Sequence, residues 1–338
     1  MTTMRRWVLD GFGRDMLKLA EVPLPDPRPG EVLVKVAAVS LNYRDTLVIA
    51  NGMGRQLDFP FTPGSDLAGT VVAVGDGVTR FRAGDRVIST FFPDWIDGPP
   101  SGDARTPDGS ALGGGHPGVL SEYVAFPEAW FVRAPFSLDP AAASTLPCAG
   151  LTAWSALIEH GRLKAGMRVL VQGTGGVALF GLQIAKAHGA EVFVISGSAE
   201  KRAQALSLGA DHVLDRQDWV ETTHRLTAEG GIDHILEIVG GPHLARSLEA
   251  VAVEGRISVI GVLDGYDLAG SAGLLLLKTV TVQGIRVGHR RALEDLVRAV
   301  DVLALKPVID RRYRLTELPA ALDHLDRGAF GKIVIDMT

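Results

Sequence analysis

Short runs of hydrophobic and β-branched residues, broken by glycine and proline, dominate the first third of the chain. Such runs are typical of antiparallel strands, and we predict strands over 32–39, 67–74, 86–90 and 121–126. Residues 93–118 are rich in Gly, Pro and Asp and lack apolar periodicity, which predicts an excursion loop that acts as a lid or a flap. The region from residue 8 to residue 126 is therefore expected to be mainly β.

After Pro140 the pattern changes to alternating strand and helix signals, as expected for a parallel sheet with crossover helices. Predicted strands cover 168–171, 191–195, 212–214, 233–239, 256–262 and 280–285, with helices over 175–188 and 199–208. A helix over 292–305 and a strand over 332–335 return to the earlier pattern. We infer that residues 1–145 and 286–338 form one domain, split around an inserted α/β domain of residues 146–285.

A glycine-rich turn connects the first strand of the α/β region to its helix. Gly173 permits a tight turn, Gly175 lets backbone N–H groups approach a phosphate, and the helix N-terminus adds partial positive charge. The residues predicted to bind a dinucleotide pyrophosphate are Gly173, Thr174, Gly175, Gly176 and Val177. A plain strand-to-helix turn in an unrelated α/β domain is the alternative.

The end of the next strand indicates which dinucleotide binds. NAD sites usually place an acidic residue there to accept hydrogen bonds from the ribose, whereas this chain has Ser196, Gly197 and Ser198. These residues leave room for a 2′-phosphate, which Lys201 and Arg216 could neutralise. We therefore predict NADP as the cofactor, although Lys201 and Arg216 also fit ordinary surface charges.

Composition narrows the range of partners. A 46% hydrophobic and 22% charged chain is typical of a globular enzyme. The net charge of −5, without basic runs interleaved with aromatics, argues against nucleic acid. No apolar segment suits a signal peptide or a membrane span, so we expect a cytoplasmic protein that does not bind membranes. The single cysteine, Cys148, excludes an internal disulfide and a cysteine-cluster zinc site.

Several stretches together resemble the medium-chain dehydrogenase/reductase superfamily over nearly the whole chain. They are 64–69 (Gly-Ser-Asp-Leu-Ala-Gly), 74–75, 83–87, 148–152, the glycine turn, 208–211 and 331–334. The resemblance implies an α/β protein in which a GroES-like, mainly β catalytic domain is split around a Rossmann domain. It also implies a small-molecule substrate and often a homodimer, formed through the edge strand near 280–285. Further cofactor contacts implied by the resemblance are Thr152, Gly261, Val262, Leu263, Ile285, Arg286 and Lys332.

Zinc alcohol dehydrogenases of this superfamily hold their catalytic metal with a Cys, a His and a second Cys or Asp. Here Asn42 stands at the first position, Ser65 stands at the His position, and only Cys148 matches a ligand. The loop 93–118 also lacks the four cysteines of the structural zinc site in those relatives. We therefore predict an enzyme without zinc, similar to the quinone oxidoreductase-like branch.

Without a metal, hydrogen bonds must stabilise the negative charge that develops on a substrate oxygen. The resemblance implies that Asn42, Tyr43, Arg44 and Ser65 stand at the active-site positions of the family, and they are the predicted catalytic residues. A quinone or α,β-unsaturated carbonyl spreads that charge, so NADPH-dependent reduction of such a substrate is the favoured function. An NAD(P)-dependent alcohol dehydrogenase or ketone reductase and a non-catalytic NADPH-binding protein are the alternatives. Packing for Tyr43, a helix cap for Asp45, a core role for Asp66 and simple burial for Cys148 also remain open.

Overall fold

The computed structural model describes residues 2–107 and 109–337. The chain divides into two compact units. Unit 1 comprises the residues up to Leu151 and those from Gly288 onward, and unit 2 comprises Thr152–Val287. The domain boundaries predicted from the sequence, 145/146 and 285/286, lie a few residues from these divisions.

The first part of unit 1 is built mainly of strands, as its alternating hydrophobic pattern predicts. Its main elements are β1 (Thr3–Leu9), β2 (Leu17–Pro23), β3 (Glu31–Leu41), α1 (Tyr43–Asn51), β4 (Asp66–Val74), β5 (Arg86–Ser89), β6 (Tyr123–Pro127), β7 (Phe131–Arg133) and α2 (Pro140–Ala143). A π-helical turn, Leu146–Gly150, follows α2. The short helix α3 (Leu151–Trp154) begins at the last residue of this part.

Unit 2 alternates strands and helices. After α3 it contains β8 (Arg168–Gln172), α4 (Gly176–Ala187), β9 (Glu191–Ile195), α5 (Ala199–Ser207), β10 (His212–Leu214), α6 (Trp219–Leu226), β11 (Ile232–Glu237), α7 (Leu244–Ala250), β12 (Val251–Val259), α8 (Ala272–Leu277) and β13 (Thr281–Gly284). Its strands run parallel in the order β10-β9-β8-β11-β12-β13. This is the dinucleotide-binding order, and its switch point lies between β8 and β11.

The core of unit 2 follows from this sheet. Fully buried Leu170, Phe193, Ile235 and Ile257 come from four neighbouring strands and belong to one apolar cluster. The strand predicted over 256–262 is observed as β12, which starts earlier, at Val251. Glu254 has a positive φ of 59° inside this strand, so the local irregularity hid its first half from the sequence pattern.

The second part of unit 1 adds α9 (Arg290–Leu303), β14 (Ile309–Arg314), α10 (Leu318–Arg327) and β15 (Lys332–Asp336). In the described residues its larger sheet has the order β14-β15-β3-β4-β5-β7, with β6 also on β3, while β1 and β2 form a separate antiparallel pair. Only β14 and β15 pair in parallel there. The predicted mixed α/β class is thus confirmed. In the described part of the chain, no helix combines the length and the apolar character needed to cross a membrane.

The excursion loop predicted over 93–118 contains no helix or extended strand among its described residues. Inside the loop, His116 Nε2 lies 2.8 Å from Asp94 Oδ2. The loop is held to the rest of unit 1 by the Arg44 guanidinium, which donates to the carbonyl of Leu112 at 3.0 Å, and by backbone hydrogen bonds such as that from Leu112 to the carbonyl of Phe91 at 3.1 Å. The part of the loop near residues 111–116 is therefore anchored to α1.

Candidate active site

Asn42 stands between β3 and α1 and is the N-cap of that helix. Its backbone is extended, with φ −126° and ψ 152°, and its backbone N–H donates to Asp45 Oδ2 at 2.8 Å. This is the carboxylate half of a capping box. Asp45 thus acts as a helix-cap partner, the role that the sequence left open for it.

The Asn42 side chain begins a chain of buried hydrogen bonds. Its Nδ2 donates to Ser65 Oγ at 3.3 Å, and Ser65 Oγ donates to Asp66 Oδ1 at 2.6 Å. The second carboxylate oxygen of Asp66 accepts the backbone N–H of Cys148 at 3.1 Å. Burial raises the pKa of Asp66 from 3.8 to about 6. Successive hydrogen bonds therefore join an amide, a hydroxyl and a carboxyl with a pKa of about 6.

Lys332 closes the other end of this chain. The antiparallel register pairs Ile333 of β15 with Leu41 of β3, which brings Lys332 next to Asn42. The Lys332 Nζ donates to the carbonyl of Leu41 at 2.6 Å and to Asn42 Oδ1 at 2.5 Å, and the residue is only 4% exposed. Its positive charge lowers the pKa of Asp66, but not enough to offset burial. We name Lys332, Asn42, Ser65 and Asp66 the ammonium network.

The four residues predicted to be catalytic are neighbours but do not all converge. Asn42 and Ser65 join the ammonium network. Arg44 instead donates to Leu112, and its guanidinium lies 5.2 Å from the centre of the Phe91 ring, so it fixes the excursion loop. Tyr43 is 47% exposed on the first turn of α1, in a position open to a substrate.

The side chains at the metal-ligand positions of zinc relatives do not suit zinc in this chain. The oxygen of Asn42 already accepts from an ammonium, and Ser65 donates its proton to Asp66. Burial raises the pKa of the Cys148 thiol, which disfavours the thiolate that zinc requires. The buried charge of Lys332 would also repel a divalent cation. Residues 2–107 and 109–337 contain no group of three or more His, Cys, Asp or Glu side chains placed to hold a metal.

In unit 2 the predicted pyrophosphate turn lies between β8 and α4. Gly173 has φ +80°, a conformation that favours glycine, and Gly175 is the N-cap of α4. Among the described residues no atom lies within 4 Å of where a β-carbon of Gly173 or Gly175 would stand. Gly176 and Val177 open the helix, and Thr174 is buried beside them. The backbone N–H of Gly173 donates to the carbonyl of Ile195 at 2.8 Å, and the open space beside Gly173 and Gly175 leaves room for a phosphate to approach the helix N-terminus.

Gly181, one turn into α4, is a packing residue that the sequence analysis did not single out. A β-carbon there would lie 2.6 Å from Leu236 and 3.0 Å from Val171, so only glycine lets the helix approach the sheet. Its spacing after Gly175 was the available signal.

The residues predicted to select NADP follow the carboxyl ends of β9 and β10. Ser198 caps α5 by accepting the Lys201 backbone N–H at 3.3 Å, and Ser196 Oγ accepts the backbone N–H of Ser198 at 3.3 Å. Exposed Arg216 lies beside Gly197, with its Nε 3.8 Å from where a β-carbon would stand. Ser196, Gly197, Ser198, Lys201 and Arg216 are thus brought together.

Arg202, which the sequence analysis missed, braces this corner. Its Nη1 donates to the carbonyl of Ser196 at 2.5 Å and to Asp215 Oδ2 at 2.7 Å. Its position one turn into α5, after a strand end without an acidic residue, could have suggested it. Arg202 therefore holds the end of β9 to the end of β10, next to the residues predicted to select the cofactor, with its charge paired to Asp215.

The remaining predicted cofactor residues of unit 2 mostly follow other strand ends. Gly261, Val262 and Leu263 follow β12, and Ile285 and Arg286 follow β13, at the carboxyl edge where parallel sheets bind ligands. A β-carbon at Gly261 would overlap the carbonyl of Ile238, so the loops after β11 and β12 pack backbone to backbone. Thr152 is buried in α3, and Lys332 belongs to unit 1.

A second buried network, also missed from the sequence, lies at the switch point of unit 2. Glu237 ends β11, and its Oε1 accepts the backbone N–H groups of Val239 and Gly240, each at 3.0 Å. Three side chains surround its Oε2: Gln172 Nε2 at 2.9 Å, Ser247 Oγ at 2.5 Å and His243 Nδ1 at 3.1 Å. Burial raises the pKa of Glu237, yet the bonds to His243, Ser247 and Gln172 outweigh it, and the pKa is lowered. We name these residues the Glu237 network.

The Rossmann sheet of unit 2, with its glycine turn, and the strand-rich unit 1 together define a pyridine-nucleotide-dependent oxidoreductase. The profile "Alcohol dehydrogenase GroES-like domain" matches residues 28–136, and the profile "Zinc-binding dehydrogenase" matches residues 176–302. The chain belongs to the medium-chain dehydrogenase/reductase superfamily, which confirms the family and the two domain types predicted from the sequence.

Individual relatives are named as alcohol dehydrogenase-like proteins or as quinone oxidoreductases. A zinc-type alcohol dehydrogenase-like protein of Schizosaccharomyces pombe is 37% identical over 335 residues, 96% of each chain. Human quinone oxidoreductase is 28% identical over 340 residues, 97% of this chain and 96% of its own. The crystal structure of a putative alcohol dehydrogenase from Sinorhizobium meliloti 1021 is 62% identical with a TM-score of 0.98, and covers 100% of this chain and 99% of its own. The chain is therefore an oxidoreductase of the alcohol dehydrogenase and quinone oxidoreductase type.

Proposed function

We propose that this enzyme uses NADPH to reduce a quinone or an α,β-unsaturated carbonyl compound without zinc. The observation that carries the proposal is the ammonium network. It fills the metal-ligand positions of zinc relatives with hydrogen bonds and places a buried positive charge 2.5 Å from Asn42 Oδ1. A site of this kind can stabilise developing negative charge through oriented donors.

The choice of substrate class follows from the strength of these donors. A neutral amide stabilises an oxyanion less than a divalent metal does, so it suits a substrate that spreads the charge over a conjugated system. A quinone and an enone both do so when hydride reaches carbon. The reduced oxygen also requires a proton, which Tyr43, exposed at the start of α1, can donate.

The residues of unit 2 fit a bound NADPH, which would supply the hydride. The turn at Gly173–Gly176 would hold the pyrophosphate, and Ser196 and Ser198 would bind the 2′-phosphate together with Arg216. The absence of a carboxylate directly after β9 and the exposed guanidinium of Arg216 beside Gly197 favour the phosphorylated cofactor over NAD.

Steady-state oxidation of NADPH tests the substrate class. We expect turnover with 9,10-phenanthrenequinone or with a simple enone, and a kcat/KM at least tenfold lower for ketone reduction and for oxidation of a secondary alcohol with NADP. Mass spectrometry of the native enzyme should find zinc well below one atom per chain. Alcohol oxidation as the fastest reaction, or one zinc per chain, would contradict the proposal.

Calorimetric titration tests the cofactor. NADPH should bind at least tenfold more tightly than NADH, about 1.4 kcal/mol. Arg216→Ala should remove most of this difference, because the guanidinium pairs with the 2′-phosphate. Arg225→Ala, an exposed change on α6, is the matched control and should leave both affinities unchanged. Equal affinities in the unaltered enzyme would contradict the assignment.

An alcohol dehydrogenase or ketone reductase is the second candidate. It is favoured by the names of the S. pombe relative and of the S. meliloti structure. The same assays decide between the two candidates, because only this one predicts efficient NADP-dependent oxidation of an alcohol.

We further propose a homodimer formed through β13. This strand ends the sheet and pairs only with β12 among the described residues, while Leu276 and Leu277 beside it are 75% and 84% exposed. An unpaired edge with exposed apolar side chains is suited to a second copy. Sedimentation should show a dimer that Val282→Pro, which cannot extend the ladder across the edge, dissociates. A monomeric unaltered enzyme would rule the dimer out.

A further inference from the structure

Lys332 has a position that its expected role as a cofactor contact does not explain. Its ammonium is buried in unit 1 and has two acceptors, the carbonyl of Leu41 and Asn42 Oδ1. The carboxylates of Asp66 and Asp45 interact with its charge, which acts to lower the pKa of both, but its two hydrogen-bond acceptors are neutral oxygens. A buried ammonium fixes the groups that accept its hydrogen bonds, because leaving its donors unpaired would be costly.

We infer that Lys332 is a positioning residue for the reduction: its ammonium fixes the Asn42 amide so that this group offers hydrogen-bond donors, and not its oxygen, to the substrate. This inference rests on the proposed function and adds a residue to it. An ammonium can only donate hydrogen bonds, so it can bind the amide oxygen but cannot bind the NH2 group. The NH2 group is thereby turned away from Lys332, toward Ser65 Oγ at 3.3 Å.

The neighbouring contacts require the same orientation. Ser65 Oγ donates its proton to Asp66 Oδ1 at 2.6 Å, so toward Asn42 it can only accept. The amide is therefore held from both sides, by a donor at its oxygen and by an acceptor at its nitrogen. An oxyanion near Asn42 would compete with Ser65 Oγ and Asp66 for the amide N–H groups, which the ammonium polarises.

The β15–β3 pairing explains why Lys332 can do this. Ile333 pairs with Leu41 in the antiparallel register, which places Lys332 across from Asn42 just beyond the paired residues. Without the ammonium, the Asn42 amide could turn its oxygen outward and repel negative charge on the substrate. A loss of orientation should therefore slow the chemical step and leave cofactor binding unaffected.

The experiment compares Lys332→Met, Lys332→Gln and the control Lys35→Met, an exposed lysine on β3. We expect Lys332→Met to lower kcat for 9,10-phenanthrenequinone by about 10- to 100-fold, as for loss of one oriented donor. Lys332→Gln keeps a neutral donor of similar length and should lose less. The Kd of NADPH should change less than twofold in both variants, and Lys35→Met should behave like the unaltered enzyme.

Non-additivity separates a positioning role from a general structural one. Asn42→Ala should lower kcat by at least as much as Lys332→Met, and the double variant should lose no more than Asn42→Ala alone, because both changes remove the same donor. If the fold loss in kcat of the double variant equals the product of the losses of the two single variants, the inference is overturned. If Lys332→Met melts far below the unaltered enzyme, Lys332→Gln takes its place in the cycle.

Two further outcomes distinguish this inference from the proposed function. A tenfold weaker NADPH affinity with unchanged kcat would assign Lys332 to the cofactor and overturn the positioning role, while quinone reduction itself stands. An unaltered enzyme that binds NADPH but turns over neither quinone nor enone would overturn the proposed function and the role of Lys332 with it.

Discussion

Glu237 of unit 2 and Asp66 of unit 1 are both buried carboxylates in polar networks, and their hydrogen bonds satisfy them to different degrees. Glu237 of unit 2 has five donors around it among the described residues, whereas Asp66 of unit 1 accepts from the Ser65 hydroxyl and the backbone of Cys148 and also interacts with the Asn42 amide. Burial acts on both. The pKa of Glu237 is nevertheless lowered, while burial raises the pKa of Asp66 to about 6.

The difference separates a structural carboxylate from one suited to chemistry. Five donors hold Glu237 ionised and fix the backbone that follows β11 at the switch point. Asp66 lacks enough donors to remain fully ionised near neutral pH, and it lies in a chain of hydrogen bonds with Asn42 and Lys332. Groups with perturbed pKa values of this kind are concentrated at functional sites.

Replacing Glu237 should have the largest effect on stability. In Glu237→Gln the new NH2 group would face Gln172 Nε2, so that two donors oppose each other in a buried site. The negative charge that accepts the other hydrogen bonds of the network would also be lost. We expect the free energy of unfolding to fall by about 3 kcal/mol. Urea denaturation followed by circular dichroism would measure the loss, and hydrogen exchange of β11 peptides would locate it in unit 2.

Glu249→Gln is the matched control for that variant. Glu249 is exposed on α7 of the same unit, and its change should stay within about 0.5 kcal/mol. If both variants lost the same amount, Glu237 would not be the structural carboxylate described above.

Local pattern predicted much of unit 2 because its signals are close together in the sequence. The run 168–171 followed directly by Gly173 and Gly175 indicated β8, the turn and α4 without any distant contact. The Glu237 network escaped notice because Gln172 and Glu237 are 65 residues apart and meet only where β8 and β11 pair side by side. Polar residues at the ends of two buried strands were the available signal.

The ammonium network shows the corresponding limit in unit 1. Asn42 and Ser65 were found through their positions in the family pattern, and the structure joins them by a hydrogen bond. Lys332 was expected to contact the cofactor, but its neighbour Asn42 is 290 residues away in the chain. The pairing register of β15 with β3 brings them together, and this register cannot be predicted from the hydrophobic periodicity of either strand.

Asp66→Asn should sharpen the comparison through its dependence on pH. Because burial raises the pKa of Asp66 above its unfolded value of 3.8, to about 6, the native state holds the proton more tightly than the unfolded state. Stability from this group is therefore present at low pH and lost as pH rises toward 6. The Asn side chain of Asp66→Asn does not titrate, so this variant is the reference. Relative to it, the free energy of unfolding of the unaltered enzyme should fall by about 2 kcal/mol between pH 4.5 and pH 7.

Urea denaturation at those two pH values measures this difference. Asp211→Asn is a suitable control, because Lys186 and the backbone of Val192 hydrogen-bond that partly exposed carboxylate and its pKa is lowered. Its difference from the unaltered enzyme should not follow the same trend. An Asp66→Asn difference that is flat over this range would mean that Asp66 is as well satisfied as Glu237.

The smallest expected effects come from the two serines that donate to these carboxylates. Ser247→Ala leaves Glu237 with four donors and should lower the free energy of unfolding by about 1 kcal/mol. This loss should be nearly the same at pH 5 and pH 7, because Glu237 stays ionised over that range. Ser65→Ala removes the hydroxyl hydrogen bond to Asp66. Its cost should be larger at pH 7, where Asp66 is mostly charged, than at pH 5, where a neutral carboxyl needs the donor less. Equal pH dependence in the two variants would mean that the number of donors does not set the different behaviour of the two carboxylates.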